Sequence, residues 1–318
     1  MSYRNRVIFF GTPEFAKHSL SKMVEAGVNV VAVVTRTDKP RGRSKAPQPS
    51  PVKEYALEHL SEIPLYQPEK ASDPAFVETL AALSPDLFVV VAYGEILSVD
   101  LLNTARLAAI NVHASLLPKW RGAAPIERSL LAGDEKTGVT IMHMVKKMDA
   151  GDMIRQKSLA IGTEMNSGEL RERLQEVGAD ALIEVVKEYE TTTPKSTPQD
   201  ETLVTYAPKI ELEDAEVDWS RPARELQLLI RAMTPVPGAW CWVEHKGQKK
   251  RLKILKSSSV FGYSGLPGTF LEYGKGGIIV SAGEEALRLQ VLKLEGKKEM
   301  SAEEFTRGIP QDQFKLFL

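Results

Sequence analysis

The chain has 318 residues, of which 43% are hydrophobic and 26% charged, so its composition is that of an ordinary globular protein and its length suits two domains. The formal net charge of −1 excludes a protein that binds nucleic acid over its whole surface, and the single cysteine, Cys241, excludes a disulfide within the chain. No apolar run is long enough for a signal peptide or a membrane span. We therefore expect a cytoplasmic protein without membrane contact, and nothing in its composition requires more than a monomer.

The first half of the sequence alternates between short apolar runs and segments with helical spacing. The predicted strands are Val7–Phe10, Val30–Thr35, Leu87–Ala92, Leu107–Val112 and Gly138–Val145. The predicted helices are Pro13–Ala26, Pro74–Leu83, Pro125–Ala132 and Ser167–Glu190. Uninterrupted apolar strands that alternate with helices are typical of a parallel sheet covered on both faces. The predicted fold class is therefore α/β, with a Rossmann-like parallel sheet flanked by helices.

A strongly basic stretch, Arg36–Lys53, follows the second predicted strand. It contains a single acidic residue, Asp38, and four prolines, and its cations are Arg36, Lys39, Arg41, Arg43, Lys45 and Lys53. Proline disfavours regular structure here, and the like charges repel one another. The stretch is either a solvated surface loop or a mobile arm that contacts phosphate, and its position at the end of a strand keeps both interpretations open.

The pattern changes after Thr191–Pro198, whose composition is typical of a linker. Beyond a predicted helix at Ala223–Met233, short apolar runs separated by glycine-rich turns favour a small β-barrel or a sandwich. A basic cluster there is either a solvated hairpin or a contact for RNA backbone, and its members are Lys246, Lys249, Lys250, Arg251, Lys253 and Lys256. We expect a catalytic domain at residues 1–190, a linker at 191–208 and a C-terminal domain at 209–318.

Polar or flexible residues follow the predicted strands of the first domain. They are the Gly11 turn, Tyr93 with Gly94, the Asn111–Arg121 stretch and the Asp149–Asp152 stretch. A lone histidine is more often part of a polar loop than of a site. Open α/β sheets, however, bind their ligands at the carboxyl ends of the strands. We therefore expect Asn111, His113 and Asp149 to meet at one edge of the sheet, although they are far apart in sequence.

These three side chains suit the transfer of an acyl group to an amine. The amide of Asn111 and a ring N–H of His113 can donate to the carbonyl oxygen, which becomes negative on attack. Asp149 can accept a proton from the amine, or it can orient the imidazole. The residues alone do not divide these roles.

A metal site is not expected. The five histidines are His18, His59, His113, His143 and His245, none of which forms an H-E-x-x-H pattern. One cysteine cannot form a zinc knuckle.

The run from Ser115 to Pro125, preceded by Asn111 and His113 and followed by Asp149, resembles the 10-formyltetrahydrofolate-dependent formyltransferases. The similarity extends over nearly the full chain to the branch of this family that acts on charged tRNA. The segments that show it are Phe9–Ala16, the basic stretch Arg36–Lys53, Thr234–Trp240 and Gly296–Lys298.

The resemblance implies that a formyl group passes from 10-formyltetrahydrofolate to the α-amino group of methionyl-initiator tRNA for translation initiation. It implies that Asn111, His113 and Asp149 are catalytic and that the second domain is an OB-like barrel that contacts tRNA. The expected folate-binding residues are Ser115, Leu116, Leu117, Pro118, Tyr93 and Gly94. The expected tRNA-binding residues are Arg36, Lys39, Arg41, Arg43, Lys45, Lys249, Lys250 and Arg251.

Three other functions remain open. The nearest is a folate-dependent formyltransferase that acts on a small amine, such as a sugar nucleotide or glycinamide ribonucleotide, and that needs neither basic segment. A hydrolase that releases formate could use the same three residues to activate water. A pure RNA-binding or nucleotide-binding protein with a degenerate site leaves Asn111, His113 and Asp149 unexplained.

Overall fold

The computed structural model describes residues 3–40 and 46–317, which divide into two compact units. The first contains the described residues up to Pro125, together with Lys136–Ala160 and Arg171–Ala207. The second contains Ile126–Glu135, Ile161–Leu170 and the chain from Pro208 onward. No helix of the described residues is both long enough and apolar enough to cross a membrane.

The elements up to residue 190 alternate largely as the sequence predicts. The strands are β1 (Val7–Gly11), β2 (Val30–Val34), β3 (Lys39–Pro40), β4 (Pro47–Gln48), β5 (Leu65–Tyr66), β6 (Leu87–Val91), β7 (Ala108–His113), β8 (Arg121–Gly122), β9 (Lys136–His143) and β10 (Met153–Ala160). The helices are α1 (Glu14–Glu25), α2 (Pro51–His59), α3 (Pro74–Ala82), α4 (Val99–Leu102), α5 (Pro125–Leu131) and α6 (Ser167–Glu188).

The main sheet of the first unit has seven strands in the order β10-β9-β7-β6-β1-β2-β5. The five strands from β7 to β5 run parallel. Every residue of β1 and of β6 is buried, which explains why these strands are continuous apolar runs. The predicted Rossmann-like α/β class is confirmed.

The sheet is not parallel throughout, and this bears directly on the predicted site. Strand β9 pairs antiparallel with β7, and β10 pairs antiparallel with β9. In the register of β7 with β9, His113 lies opposite Thr140 and Ile110 lies opposite His143. The chain therefore leaves β9 beside the middle of β7 and not at its carboxyl end. The expectation that the strand before Asp149 ends at the shared ligand edge is wrong.

The basic stretch Arg36–Lys53 has more regular structure than its prolines predict. Strands β3 and β4 form a short antiparallel ribbon, and α2 begins at Pro51. The hydroxyl of Ser50 caps this helix by accepting from the Lys53 backbone N–H at 3.1 Å, and proline suits the first helical position. Residues 41–45, which include three of the predicted RNA contacts, lie outside the described residues.

The second unit is built on an antiparallel sheet in the order β14-β15-β16-β13-β12-β18, with β17 paired to β16. Strand β11 (Tyr206–Ala207) still belongs to the first unit. The elements of the second unit that follow it are α7 (Ala223–Met233), β12 (Ala239–His245), β13 (Gln248–Val260), β14 (Phe270–Gly274), β15 (Gly277–Ser281), β16 (Ala286–Leu294), β17 (Met300–Ser301), α8 (Ala302–Gly308) and β18 (Phe314–Leu316). Helix α7 buries Leu226, Leu229 and Ile230 in the core of this unit. The sheet is that of a small barrel domain, as predicted.

Candidate active site

The carboxyl end of β7 brings His113 and Asp149 together. Nδ1 of His113 lies 3.6 Å from Oδ2 of Asp149, and the two side chains are only 6% and 15% exposed. The same carboxylate oxygen accepts from the Gly122 backbone N–H at 2.9 Å. A carboxylate with one fixed donor and an imidazole beside it has a defined orientation, which suits a group that receives a proton.

The second ring nitrogen of His113 is already engaged. Nε2 lies 2.9 Å from the carbonyl oxygen of Trp120, and because a carbonyl only accepts, Nε2 bears the hydrogen. Nδ1 is then the ring nitrogen that faces Asp149. Trp120 has a φ of +65° and Asp149 a φ of +50°, which are conformations that non-glycine residues seldom adopt. Backbone strain of this kind is common at functional sites.

Asn111 lies two residues before His113 on β7, so the two side chains share one face of the strand. Asn111 is half-buried, as expected for a side chain that faces a site and not the core. An amide donor and an imidazole on one strand face, with a carboxylate beside them, can stabilise a developing oxyanion and accept a proton. The structure thus places Asn111 and His113 on one strand face and pairs His113 with Asp149.

Asp149 reaches the site through the loop that follows β9. The His143 backbone N–H donates to the Asp152 carbonyl at 2.9 Å, which closes this loop on itself. A Cβ atom on Gly151 would lie 1.9 Å from the His143 carbonyl oxygen, so only glycine allows this close approach. The close packing of the loop returns Asp149 to the end of β7 despite the antiparallel course of β9.

Two side chains of the antiparallel strands β9 and β10 form hydrogen bonds to the backbone of the Ser115–Pro118 turn. The Thr140 hydroxyl donates to the Ser115 carbonyl at 2.7 Å and accepts from the Leu117 N–H at 3.1 Å. Gln156 donates to the Leu117 carbonyl at 2.8 Å. Ser115 and Leu117 are buried, whereas Leu116 and Pro118 are half-buried and form the accessible part of the turn.

Of the other two predicted folate residues, Tyr93 lies in the core. It is 2% exposed, and its ring packs edge-on against Phe10 at 5.6 Å between centroids. Burial, with a smaller effect of Glu95, raises the pKa of Tyr93 to about 12, so its phenol stays neutral. Gly94 has a φ of +86° and turns the chain directly after it. At this turn the backbone around Gly94 is therefore exposed, whereas the Tyr93 ring is buried.

A polar segment that no sequence motif marks is hydrogen-bonded to the loop that carries Asp149. In this segment, Thr197–Ala207, the first residue pairs with Met153, and β11 at its end pairs with β8. Between them, the Gln199 amide donates to the carbonyls of both Asp149 and Gly151 at 2.8 Å. No motif in the sequence distinguishes Gln199 from any other glutamine.

Arg121 links this segment to the site from a buried position. It is 1% exposed, and it donates from Nε to Gln199 Oε1 at 3.0 Å and from Nη2 to Glu201 at 2.8 Å. Glu201 also accepts from Lys147 at 2.8 Å. These two cationic donors lower the pKa of Glu201 to about 2, so the carboxylate is charged at neutral pH.

The predicted RNA contacts of the first unit lie in different settings. Arg36 donates to Glu95, whose other oxygen accepts from the Ala71 N–H at 3.0 Å, and Lys39 is exposed in β3. Arg41, Arg43 and Lys45 lie outside the described residues. Lys53, a further cation of the stretch, pairs with Asp38 at 2.7 Å. Arg36 and Lys53 are therefore tied into the protein, whereas Lys39 faces solvent.

The predicted RNA contacts of the second unit divide between two faces of its sheet. Trp240, Trp242 and Glu244 lie opposite Lys253, Arg251 and Lys249 in the register of β12 with β13, so these six residues share one face. We call them the Trp242 face. Lys250 lies opposite Val243, which faces the core, and its side chain therefore leaves from the other face of β13.

Aromatic rings hold the cations of the Trp242 face in place. The Arg251 guanidinium lies 4.6 Å from the Trp240 ring centroid and 5.0 Å from that of Trp242. The Lys249 ammonium lies 4.4 Å from the Trp242 centroid and 5.5 Å from that of Phe317. Burial, with Lys293 and Arg251 nearby, lowers the pKa of Lys253. Fixed cations alternating with aromatic rings are characteristic of surfaces that bind single-stranded nucleic acid.

Within residues 3–40 and 46–317, no group of three or more histidine, cysteine or acidic side chains could hold a metal ion.

Two family models together cover most of the sequence. Residues 5–186 match the formyl transferase model, and residues 209–310 match the model of the formyl transferase C-terminal domain. The chain belongs to the formyltransferase family. This formyltransferase is 49% identical over 318 residues to the methionyl-tRNA formyltransferase of Protochlamydia amoebophila, with 99% of each chain covered. The predicted family is confirmed.

Solved structures share the fold of this formyltransferase at low sequence identity. HypX from Aquifex aeolicus, solved with tetrahydrofolic acid, has a TM-score of 0.64 and 17% identity over 96% of this chain, which spans 48% of HypX. An N-formyltransferase from Helicobacter canadensis, solved with folinic acid and dTDP-3-aminofucose, also has a TM-score of 0.64 and 17% identity over 91% of this chain and 99% of its own. At such identities the likeness concerns the fold alone.

Proposed function

We propose that this chain transfers the formyl group of 10-formyltetrahydrofolate to the α-amino group of methionyl-initiator tRNA, which gives N-formylmethionyl-tRNA for translation initiation. The observation that supports this proposal most strongly is the 49% identity, over 99% of both chains, to a relative named methionyl-tRNA formyltransferase. The chemistry of the site supports the same reaction, because His113 is paired with Asp149 and shares a strand face with Asn111.

The Ser115–Pro118 turn is the part of the site that binds the formyl donor, 10-formyltetrahydrofolate. Leu116 and Pro118 offer apolar surface next to the polar end of β7, and ligand sites commonly combine an apolar wall with a few placed polar groups. Thr140 and Gln156 keep this turn rigid through their hydrogen bonds to it. Bound 10-formyltetrahydrofolate supplies a formyl carbon that an amine can attack directly, so no serine or cysteine nucleophile is needed.

Asn111 is the direct donor to the formyl oxygen in this proposal. Its amide can hydrogen-bond to the oxygen as negative charge develops there. His113 acts differently, because its Nε2–H already donates to the Trp120 carbonyl. Only Nδ1 can take part, and when it is protonated the imidazolium places a positive charge beside the oxyanion while donating toward Asp149.

Asp149 accepts the proton that the amine loses. An α-amino group titrates near pH ~8, so a fraction is already neutral and nucleophilic at physiological pH. After attack the nitrogen becomes acidic, and a carboxylate fixed by the Gly122 N–H at 2.9 Å can receive its proton directly or through water. Nδ1 of His113 lies 3.6 Å from the same carboxylate oxygen, so the imidazole lies beside the group that receives the proton. The formyl carbon then loses its bond to N10 of the folate, and N10 takes up the proton held by Asp149, so that tetrahydrofolate leaves.

The tRNA contacts that the geometry favours in the second unit are Lys249 and Arg251 of the Trp242 face. Their cationic groups are held over aromatic rings, which reduces the entropy lost on binding phosphate. Lys250 leaves from the other face, so we propose a smaller role for it. In the first unit we propose Lys39, Arg41, Arg43 and Lys45 as contacts, with Arg36 anchoring the stretch through Glu95.

We further propose the division into a catalytic domain at 1–190, a linker at 191–208 and a tRNA-binding domain at 209–318. The extents of the two family models, 5–186 and 209–310, are in keeping with it. We also propose that the enzyme acts as a monomer in the cytoplasm.

The test is a panel of acceptors with 10-formyltetrahydrofolate labelled in its formyl group. Methionyl-initiator tRNA is compared with free methionine, a dTDP-amino sugar, glycinamide ribonucleotide and buffer alone. We expect label on the charged tRNA and none on the small amines. Label on a small amine would assign that acceptor instead, and release of formate in buffer alone would indicate a hydrolase.

A further inference from the structure

We propose that Gln199 is a positioning residue for the formyl transfer, acting through Asp149. This inference rests on the proposed function, because Asp149 is the proton acceptor in that reaction. Gln199 contacts no reacting atom. Its role is to hold the backbone on both sides of the catalytic carboxylate in one conformation.

The two hydrogen bonds of the Gln199 amide span the critical part of the loop. One N–H donates to the Asp149 carbonyl and the other to the Gly151 carbonyl, both at 2.8 Å. Asp149 has a φ of +50°, a conformation that persists only where its surroundings impose it. The side-chain carboxylate meets the Gly122 N–H and His113 only while this backbone conformation is kept.

The hydrogen bond from Arg121 fixes the orientation of the Gln199 amide. Arg121 Nε donates to Gln199 Oε1 at 3.0 Å, so the oxygen is turned toward the guanidinium and the NH₂ group toward the two carbonyls. Arg121 is itself fixed by burial and by its bond to Glu201 at 2.8 Å. Glu201 is also paired with Lys147, which lies two residues before Asp149 in the same loop. The segment Thr197–Ala207 and the loop are therefore joined at two points.

The consequence for the reaction follows from the sensitivity of proton transfer to distance. Without the two donors, the carbonyls of Asp149 and Gly151 turn toward water, and the left-handed backbone of Asp149 relaxes. A displacement of about 1 Å at a reacting group can cost on the order of 100-fold in rate. Substrate binding changes little, because neither Gln199 nor Asp149 belongs to the folate turn or to the basic segments.

The experiment compares Gln199→Met, Gln199→Glu and the control Thr202→Ala in the full-length protein. Thr202 lies in the same segment, but its hydrogen bonds are to Asp200 and do not reach the loop. For Gln199→Met we expect kcat to fall by roughly 10-fold to 100-fold, with KM for both substrates within about twofold of wild type. Thr202→Ala should keep wild-type kcat.

Gln199→Glu provides a readout that a merely structural residue would not change. Its carboxylate can still accept from Arg121, but it offers no donor to the carbonyls of Asp149 and Gly151. We expect its kcat to fall at least as far as that of Gln199→Met, with KM for both substrates within about twofold of wild type, because the partner of Arg121 is kept while both donors to the loop are lost.

Three outcomes would overturn the inference. They are an unchanged kcat in Gln199→Met, a loss confined to KM, and an equal loss in Thr202→Ala. A wild-type enzyme that forms no formylated tRNA would instead refute the proposed function, so the two failures can be told apart.

Discussion

Asp149 Oδ2 accepts from the Gly122 backbone N–H at 2.9 Å while lying 3.6 Å from His113 Nδ1. One carboxylate oxygen is thus held by the turn after β7 and faces the imidazole at the end of β7. Because Nε2 of His113 donates to Trp120, proton movement between the two side chains is restricted to Nδ1 and Asp149. The backbone of the Trp120–Gly122 turn therefore determines both the tautomer of the histidine and the position of the carboxylate.

The first prediction concerns Gly122, which has a φ of +126° and where an added Cβ would lie 2.6 Å from the Ala207 carbonyl oxygen. Gly122→Ala should displace the N–H that holds Asp149 and should lower both stability and kcat. Gly27→Ala is a matched control, because Gly27 has a φ of +79° but nothing within 4 Å of its Cβ position. We expect Gly27→Ala to cost about 1–2 kcal/mol in the free energy of unfolding, and Gly122→Ala to cost more.

Chemical denaturation and steady-state kinetics of the two variants check this prediction. Equal stability losses in the two variants would contradict the close packing of Gly122 against Ala207. Full activity in Gly122→Ala would contradict its role in holding Asp149.

The second prediction concerns the Trp242 face. Lys249→Gln and Arg251→Gln, made singly, should each weaken tRNA binding and reduce the slope of log K against log salt by about one unit for the phosphate that the variant no longer neutralises. Lys250→Gln removes the same charge from the other side of β13 and should leave that slope nearly unchanged. Filter binding over a salt series measures both. An equal effect of all three cations would show that charge, and not the face of the sheet, determines where tRNA binds.

The third prediction concerns pH and His245. Burial lowers the pKa of His245, and the nearby cations of Lys250, Lys246 and Lys297 lower it further. The unfolded chain, in which histidine titrates near pH ~6.5, therefore binds the proton more readily than the folded chain does. The free energy of unfolding should thus decrease as the pH falls through that value and should be fully retained above it.

His245→Gln removes this contribution, so its stability should decrease less than that of wild type between about pH 7.5 and about pH 5.5. His59→Gln is the control, because the His59 side chain is 48% exposed. Thermal melts at several pH values measure the difference. Parallel pH profiles for His245→Gln and wild type would refute the prediction.

The positions of the strands in the first unit can be predicted from the sequence where a strand is buried on both faces. Strands β1 and β6 are fully buried, and their continuous apolar runs show it in the sequence. The direction of β9 has no such signal, since an apolar strand looks the same whether its neighbour runs parallel or antiparallel. Helix α2 is not predicted because Pro51, which disfavours regular structure in most positions, stands here at the first helical position.

The proposed catalytic residues are predicted from the sequence partly for the wrong reason. Asn111, His113 and Asp149 are expected to meet because parallel strands end at one edge, but Asp149 returns to that edge through a loop after an antiparallel strand. The supporting contacts cannot be predicted. Gln199 donates to two backbone carbonyls, and Thr140 donates to one carbonyl and accepts from one backbone N–H. Such bonds depend on tertiary structure that no local pattern reveals.

In the proposed reaction, Asp149 takes part in the chemical step and not in substrate binding. The most direct measurement is the single-turnover rate of formyl transfer to methionyl-initiator tRNA by wild type and by Asp149→Asn, with the tRNA Kd measured in parallel. We expect the rate to fall by roughly 10²-fold to 10⁴-fold and the Kd to stay within about twofold. A near wild-type rate, or a loss of rate matched by an equal loss of tRNA affinity, would contradict the proposed role of Asp149.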